Sequence, residues 1–249
     1  MPATRRALRT LATTAAAVAV IAVVGSGPAA ASARHGGAIA HAADHKISHS
    51  TSTNWSGYAV TGGTYRTVTS SWVQPAVKCT GTAYSSFWVG IDGDTSSTVE
   101  QTGTEADCNG TTPVYSSWYE MYPKFPVNYP DVVAPGDQFT ASVTTDGRGN
   151  FTLSLSNTTR GWTETVTKKL RSAKLASAEI IAEAPSSSGG VLPLANFGTA
   201  GFTASTVNGS TLTSSTPGID PITMQSGSTV KAQPSSISNG AFSVTWRHS

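Results

Sequence analysis

From residue 51 onward the chain is written in short runs of β-branched and aromatic residues, each closed by a turn signal, and nothing else limits its fold as strongly. Thr67-Val68-Thr69-Ser70-Ser71-Trp72-Val73 is such a run, as are Phe87-Trp88-Val89, Gln138-Phe139-Thr140-Ala141-Ser142-Val143 and Phe151-Thr152-Leu153-Ser154-Leu155. In the last two, apolar side chains alternate with small polar ones, the period of a half-buried strand. Asp146-Gly147 stands between them with Gly149 and Asn150, a hairpin signal, and Asn208-Gly209 and Asn239-Gly240 mark later turns. Ala241-Phe242-Ser243-Val244-Thr245-Trp246 reads as a last strand. Only residues 165–181 have some helix-forming composition, and Thr163, Thr165, Val166 and Thr167 argue against a helix. That segment reads as two strands around an exposed basic loop holding Lys168, Lys169, Arg171 and Lys174. Many short antiparallel strands without helical crossovers imply an all-β sandwich or barrel.

The inventory of reactive side chains is narrow. After residue 50 the only histidine is His248, and Cys79 and Cys108 are the only cysteines. A serine or cysteine hydrolase of the common kind needs an imidazole to take the nucleophile's proton, and zinc sites draw mostly on His, Cys and carboxylate. The expectation is therefore chemistry by carboxylates and amides, with no metal and no cofactor. Residues 51–249 hold thirteen acidic side chains against eleven basic ones, a balance of −2. Without a basic patch or a basic amphipathic helix, neither nucleic acid nor a membrane surface is an expected partner.

The first fifty residues read as targeting and spacer. Arg5, Arg6 and Arg9 precede an apolar run over residues 11–24, and Ala31-Ser32-Ala33 is an A-x-A cleavage signature. Residues 1–33 are read as a signal peptide. Residues 34–50, with His35, His41, His45 and His49 among Ala and Gly, are read as a flexible pro-segment or linker. One domain over 51–249 follows, long enough for a sizeable core. A secreted, extracellular monomer is expected, free of the membrane after processing. In an exported chain, Cys79 and Cys108 are expected to form a disulfide, closing a loop of about thirty residues and stabilising the fold by roughly 3 kcal/mol. Asn54, Asn109, Asn157 and Asn208 open N-x-S/T sequences, which become acceptors in a glycosylating host.

Three clusters carry more specification than a core needs. Asn54-Trp55-Ser56-Gly57-Tyr58 opens the domain. The stretch Phe87-Trp88-Val89-Gly90-Ile91-Asp92-Gly93-Asp94 continues to Val99-Glu100-Gln101-Thr102-Gly103 and is followed by Tyr115-Ser116-Ser117-Trp118-Tyr119-Glu120-Met121-Tyr122-Pro123. Strand alternation puts Trp118, Glu120 and Tyr122 on one face, with Tyr119 and Met121 on the other. Aromatics flanking a carboxylate suit a groove for an extended or carbohydrate ligand, and equally a buried, hydrogen-bonded Glu120. In the third cluster, Ala178-Glu179-Ile180-Ile181-Ala182-Glu183-Ala184-Pro185, Glu179, Ile181 and Glu183 share a face. Such a face is either a wet exterior, the commoner case, or the floor of a cleft.

These residues, in this order, resemble the glutamic peptidases, the eqolisin family. N-W-S-G-Y (54–58), W-V-G-I-D-G-D (88–94), Q-T-G (101–103) and Y-x-x-W-Y-E-x-Y-P (115–123) stand in family order, and A-E-I-I-A-E (178–183) matches the family's A-E-W-I-x-E. The resemblance covers roughly residues 52–202. It implies an antiparallel two-sheet β-sandwich resembling the concanavalin-like lectins, and an endopeptidase site for protein or peptide substrates. The family's catalytic pair falls on Gln101 and Glu183, and Trp55, Trp88, Asp92, Glu120 and Tyr122 match cleft or support positions. Four departures stand out. Ser116 replaces an aspartate, Met121 a cleft tryptophan and Ile180 an aromatic, while Glu100 stands where an apolar residue is usual. The competing reading is a carbohydrate-binding or glycosidase sandwich acting through Glu120 and Glu183.

Overall fold

The computed structural model describes residues 51–249, so the signal-peptide and linker readings lie outside the described residues. Among these there is no helix, and thirteen strands of five residues or more carry the architecture. In chain order they are β1 (Trp55–Thr61), β2 (Thr67–Val73), β3 (Ser86–Ile91), β4 (Val99–Asn109) and β5 (Thr112–Tyr122). There follow β6 (Gln138–Thr145), β7 (Asn150–Asn157), β8 (Trp162–Lys169) and β9 (Ser177–Glu183). The last four are β10 (Thr199–Val207), β11 (Ile219–Ser226), β12 (Thr229–Pro234) and β13 (Phe242–Trp246).

Hydrogen bonding runs through the antiparallel order β8-β7-β6-β2-β10-β13-β12-β11-β1-β9-β3-β4-β5. This single path folds into two layers because β11 serves both. Its first half, Ile219 to Ile222, pairs with β1, and its end, Met224 to Ser226, pairs with β12 across a break in register. We call β8, β7, β6, β2, β10, β13 and β12 the back sheet and β1, β9, β3, β4 and β5 the front sheet. The expected turns are present: Gly147 has φ 74°, and Asn208-Gly209 and Asn239-Gly240 both lie in the left-handed region that tight hairpins require. Of the expected basic loop, Arg171 and Lys174 lie in the connection between β8 and β9, whereas Lys168 and Lys169 are the last residues of β8, paired with Phe151 and Asn150 of β7.

The main core fills the space between the layers. Val68 and Trp72 of β2, Phe139, Ala141 and Val143 of β6, and Phe151, Leu153 and Leu155 of β7 meet Phe87, Val89 and Ile91 of β3 and Ala178, Ile180 and Ala182 of β9. The Trp72 indole N–H donates to Thr104 Oγ1 of the front sheet at 3.0 Å, so one of the largest core side chains also bonds the layers together. Cys79 and Cys108 are bonded, with Cα atoms 5.3 Å apart, which ties the segment before β3 to the end of β4.

A second apolar cluster lies on the opposite face of the front sheet: Trp55, Ala59, Trp88, Val99, Trp118, Ile181 and Ile222, with Tyr122 against it. Strand register explains how so many large side chains fit. Reading across the sheet, Ile222, Gly57, Ile181, Trp88, Gly103 and Trp118 are successive neighbours, so two glycines interleave with large residues. A Cβ at Gly103 would run into the Phe87 carbonyl oxygen and come 2.6 Å from Trp88 Cβ. The glycine of Q-T-G is thus a packing requirement of the neighbouring tryptophan.

Candidate active site

The face that carries this second cluster also carries the carboxylates. On β9 the side chains alternate strictly: Ala178, Ile180 and Ala182 enter the main core, whereas Glu179, Ile181 and Glu183 face the other way. All of β9 is buried, so the wet-exterior reading of its glutamates is replaced by a dry cleft floor. Register places them: Trp55, Glu183, Ser86, Glu105 and Ser116 form one row across the sheet. Two rows away, Glu179, Gly90, Gln101 and Glu120 form another. Trp88 belongs to the row between, on the diagonal from Glu183 to Gln101.

Glu183 is held by donors. Asn54 Nδ2 donates to Oε1 at 3.1 Å and the Trp88 indole N–H donates to Oε2 at 2.8 Å. The Trp55 and Trp88 rings meet edge to face, with centroids 5.0 Å apart, which fixes both indoles around the carboxyl group. Burial, and then the charge of Glu120, push the Glu183 carboxyl well above the ordinary range, while the donors from Trp88, Trp55 and Asn54 pull it back. The net effect is a carboxyl that keeps its proton to higher pH than an ordinary glutamate.

Gln101 is fully buried and is held by one contact: its Nε2 donates to Glu120 Oε2 at 2.7 Å. An ionised carboxylate only accepts, so Glu120 fixes which end of the amide faces it. The Gln101 carbonyl oxygen is buried with no partner. A stranded acceptor of this kind costs about 1–3 kcal/mol and marks a position that bound water or ligand is expected to fill.

A second group of carboxyls supports this floor. Asp92, in the left-handed region at φ 69°, accepts the backbone N–H groups of Lys174, Leu175 and Ala176 at 2.8 to 2.9 Å. Its charge fastens the loop that delivers β9, so its place is in support of the cleft. Glu100 points to the core side, its neighbours in register being Ile91 and Met121, and neither of its oxygens makes a well-formed hydrogen bond. Burial, and then Asp92, push its carboxyl up to about 9. Glu179 is also pushed well up, by burial and by Asp94 and Asp92.

Of the residues expected from sequence, Trp55, Trp88, Gln101, Glu120 and Glu183 meet on one face, and Tyr122 packs at its margin. Met121 sits in the inter-sheet core, on the face opposite Glu120 and Tyr122 that strand alternation along β5 gives it, so it does not fill the place of a cleft tryptophan. Asn54 has no role assigned to it by the sequence, yet it is buried and bonded to Glu183. Its place at the front of N-W-S-G-Y is the available signal. Ser86 and Glu105 carry no such signal, because only register brings Ser86 beside Glu183 and Glu105 beside Ser86.

The fold and the site together define a two-layer β-sandwich with a buried carboxyl–amide constellation on the free face of one sheet. The Peptidase A4 family model matches residues 53–246, and the chain belongs to that family. It is similar to scytalidopepsin B of Scytalidium lignicola, 34% identical over 110 residues, covering 43% of this chain and 41% of that protein. It is also similar to aspergillopepsin-2 of Aspergillus niger, 28% identical over 138 residues, with 47% and 49% covered. The matched segments thus span less than half of each curated relative. Among solved structures, scytalido-glutamic peptidase with a transition state analog inhibitor matches at TM-score 0.67 and 25% identity, over 78% of this chain and 98% of that one. Aspergilloglutamic peptidase from Aspergillus niger matches at TM-score 0.59 and 27% identity, over 66% and 99%.

Proposed function

We propose that this chain is an exported endopeptidase that hydrolyses peptide bonds with Glu183 and Gln101 as its catalytic pair. The observation that carries the reading is the buried Gln101 amide, anchored at one end by Glu120 and open at its carbonyl, on the same face as a donor-held Glu183. Family membership and the likeness to solved glutamic peptidases support it.

Ionised Glu183 takes a proton from water while the water oxygen attacks the scissile carbonyl carbon. The carbonyl π pair moves onto oxygen, and the Gln101 N–H not engaged by Glu120 stabilises that oxyanion. The open Gln101 carbonyl orients the water's second hydrogen. Glu183, now protonated, hands its proton to the amide nitrogen as the C–N bond breaks. Trp88 and Asn54 hold the carboxyl oriented in both states.

Glu183→Gln should lower kcat by about 10³-fold or more without lowering the melting temperature, and Gln101→Ala by about 10²–10³-fold. Because the two act as a unit, the double variant should be scarcely worse than Glu183→Gln alone. Glu179→Gln should retain turnover. Full activity in Gln101→Ala with a dead Glu120→Gln would transfer the chemistry to two carboxylates, the glycosidase-like arrangement. Casein hydrolysis across acidic pH is the assay. N-terminal sequencing of secreted protein tests the proposed cleavage after Ala33.

A further inference from the structure

The strand order has two ends, β8 in the back sheet and β5 in the front sheet, the latter extended only by Val127 and Asn128. The two layers bring these ends face to face without pairing them. Lys168 of β8 lies over the Tyr119 ring of β5, its Nζ 5.0 Å from the centroid. A sandwich left open at one side exposes the inner faces of its end strands there. Tyr119 and Met121 of β5, with Leu170 just after β8, floor a cavity of about 150 Å³ in this seam. The Lys124 N–H donates to the Met121 carbonyl at 3.0 Å and turns the chain after β5, and Phe125 and Val127 then wall the cavity.

Two observations mark this seam as a binding surface. Of the four large hydrophobic side chains exposed among the described residues, Phe125, Val127 and Val132 all belong to the chain that follows β5. Lys124, Lys168 and Lys169 stand around the same cavity, and among the described residues none of them has a carboxylate partner. In the sequence Lys168 and Lys169 look like part of a solvated basic run. The fold sets them, with Lys124 from a distant loop, around one apolar recess. The acids of the seam lie away from it: Glu164 is on the far side of Val166 along β8, about 13 Å from Lys168, and is hydrogen-bonded to Asp131.

A cavity of this size holds one aliphatic or small aromatic side chain. Three unpaired ammonium groups at its rim complement anionic groups beside that side chain. We propose that the seam between β8 and β5 is an exosite for an acidic segment of the substrate protein, with one leucine-like or aromatic side chain in the cavity and flanking Asp or Glu carboxylates on Lys124, Lys168 and Lys169. As an exosite it deepens the peptidase reading and rests on it; the binding itself does not. A concave recess with room for one side chain fits a peptide, whereas a membrane surface is met by a convex apolar tip. Strand alternation puts Tyr119 and Met121 on the face of β5 opposite Glu120. An extended substrate must therefore round the end of β5 to fill both cleft and cavity, about 20 Å of chain or roughly six residues. The segment recognised lies outside the residues held in the cleft.

Binding is read by calorimetry on Glu183→Gln, which holds peptides without cutting them. The probes are three amidated pentapeptides: leucine between two pairs of glutamates, leucine between two pairs of glutamines, and alanine between two pairs of glutamates. At pH 6 the first should bind about tenfold tighter than either of the others. At about pH 3, where glutamate side chains are protonated, its advantage over the glutamine peptide should fall to about twofold or less. Adding Lys168→Glu and Lys169→Glu should abolish that advantage at pH 6. Adding Phe125→Ser should weaken both leucine peptides by about threefold, whereas Lys78→Gln, at an exposed position elsewhere, should change neither. In turnover, a neutral substrate joined by a flexible linker of about ten residues to the leucine–glutamate segment should be favoured about fivefold in kcat/KM, through KM, over the same substrate without it. Equal binding of the glutamate and glutamine peptides at pH 6, or an advantage that survives the two lysine substitutions, overturns the exosite. Binding to phosphatidylglycerol vesicles with no preference among the peptides overturns it in favour of a membrane surface. Selective binding of the leucine–glutamate peptide with no cleavage of either substrate by the wild-type protein overturns the peptidase reading and leaves the peptide pocket standing.

Discussion

Along β6 and β7 alternate side chains enter the core and the rest face outward, half-buried or exposed, whereas along β3 and β9 every residue is buried. The back sheet is thus a wall with a dry side and a wet side, the ordinary condition of an antiparallel sheet. The front sheet is dry on both over β3, β9 and most of β4. Its inner face packs Phe87, Val89, Ile91 and Ile180 as any core would. Its outer face packs tryptophans around glutamates and a glutamine. The same contrast appears in the acids. On the back-sheet side, burial opposes the charge of Asp137, but Arg160, Asn157 and the Ala134 N–H outweigh it and hold the carboxyl below its usual value. In the front sheet Glu100, Glu179 and Glu183 are all pushed upward, with burial the leading cause. A sheet that keeps raised carboxyls in a dry face gives up stability there for proton-transfer capacity.

The contrast is most easily broken with a pair of glycines. Gly103→Ala in the front sheet forces a methyl against the Phe87 carbonyl and Trp88, and should destabilise by about 3 kcal/mol, read as a lower urea midpoint. Gly201→Ala in the back sheet meets nothing within 4 Å and should stay within about 0.5 kcal/mol of wild type.

Acidity gives the next effect. Glu100 has a folded value of about 9 against an ordinary value of 4.5, so its contribution is fully present below about pH 4.5 and is lost as pH rises toward 9. Glu179 and Glu183 add in the same direction, and Asp137 acts in the opposite one, losing its contribution as pH falls. Stability should fall on going from pH 5 to pH 8 by up to about 1.4 kcal/mol per pH unit for each raised group. Glu100→Gln should flatten that slope and stabilise the protein at pH 7 by up to ~3 kcal/mol, measured by denaturant titration at several pH values.

Asp92→Asn follows. An amide offers one acceptor oxygen to three backbone donors, so a loss of about 2 kcal/mol is expected, with faster hydrogen exchange at Lys174, Leu175 and Ala176. Thr167→Val, on the exposed side of the back-sheet edge, should change stability by less than about 0.5 kcal/mol.

Much of this division is legible in the amino-acid sequence. The alternation in β6 and β7 and the Asp-Gly and Asn-Gly turns announce a half-wet sheet, because such patterns follow from local backbone geometry. The motif residues announce the cleft, since N-W-S-G-Y, Q-T-G and A-E-I-I-A-E are local strings. What stays hidden depends on register between strands distant in sequence. Glu183 lies beside Ser86 and Trp55 only because β9 is inserted between β1 and β3. Glu100 is visible as an oddity, a charge where an apolar residue is usual. Its alternation with Val99 and Gln101 then sends it to the core side, beside Ile91 and Met121.

That insertion also sets an order on biosynthesis. β1 and β3 are made early, yet the partner that joins them, β9, is not made until residue 183 has been added. Until then both early strands present bare edges, and the pairings they await are long-range and slow to form. A nascent or truncated chain ending before residue 177 has neither a closed front sheet nor a complete site, and carries the adhesive edges that favour aggregation. The strand that completes the front sheet is also the one that brings Glu183, so closure of the sheet and the arrival of that carboxyl are a single event.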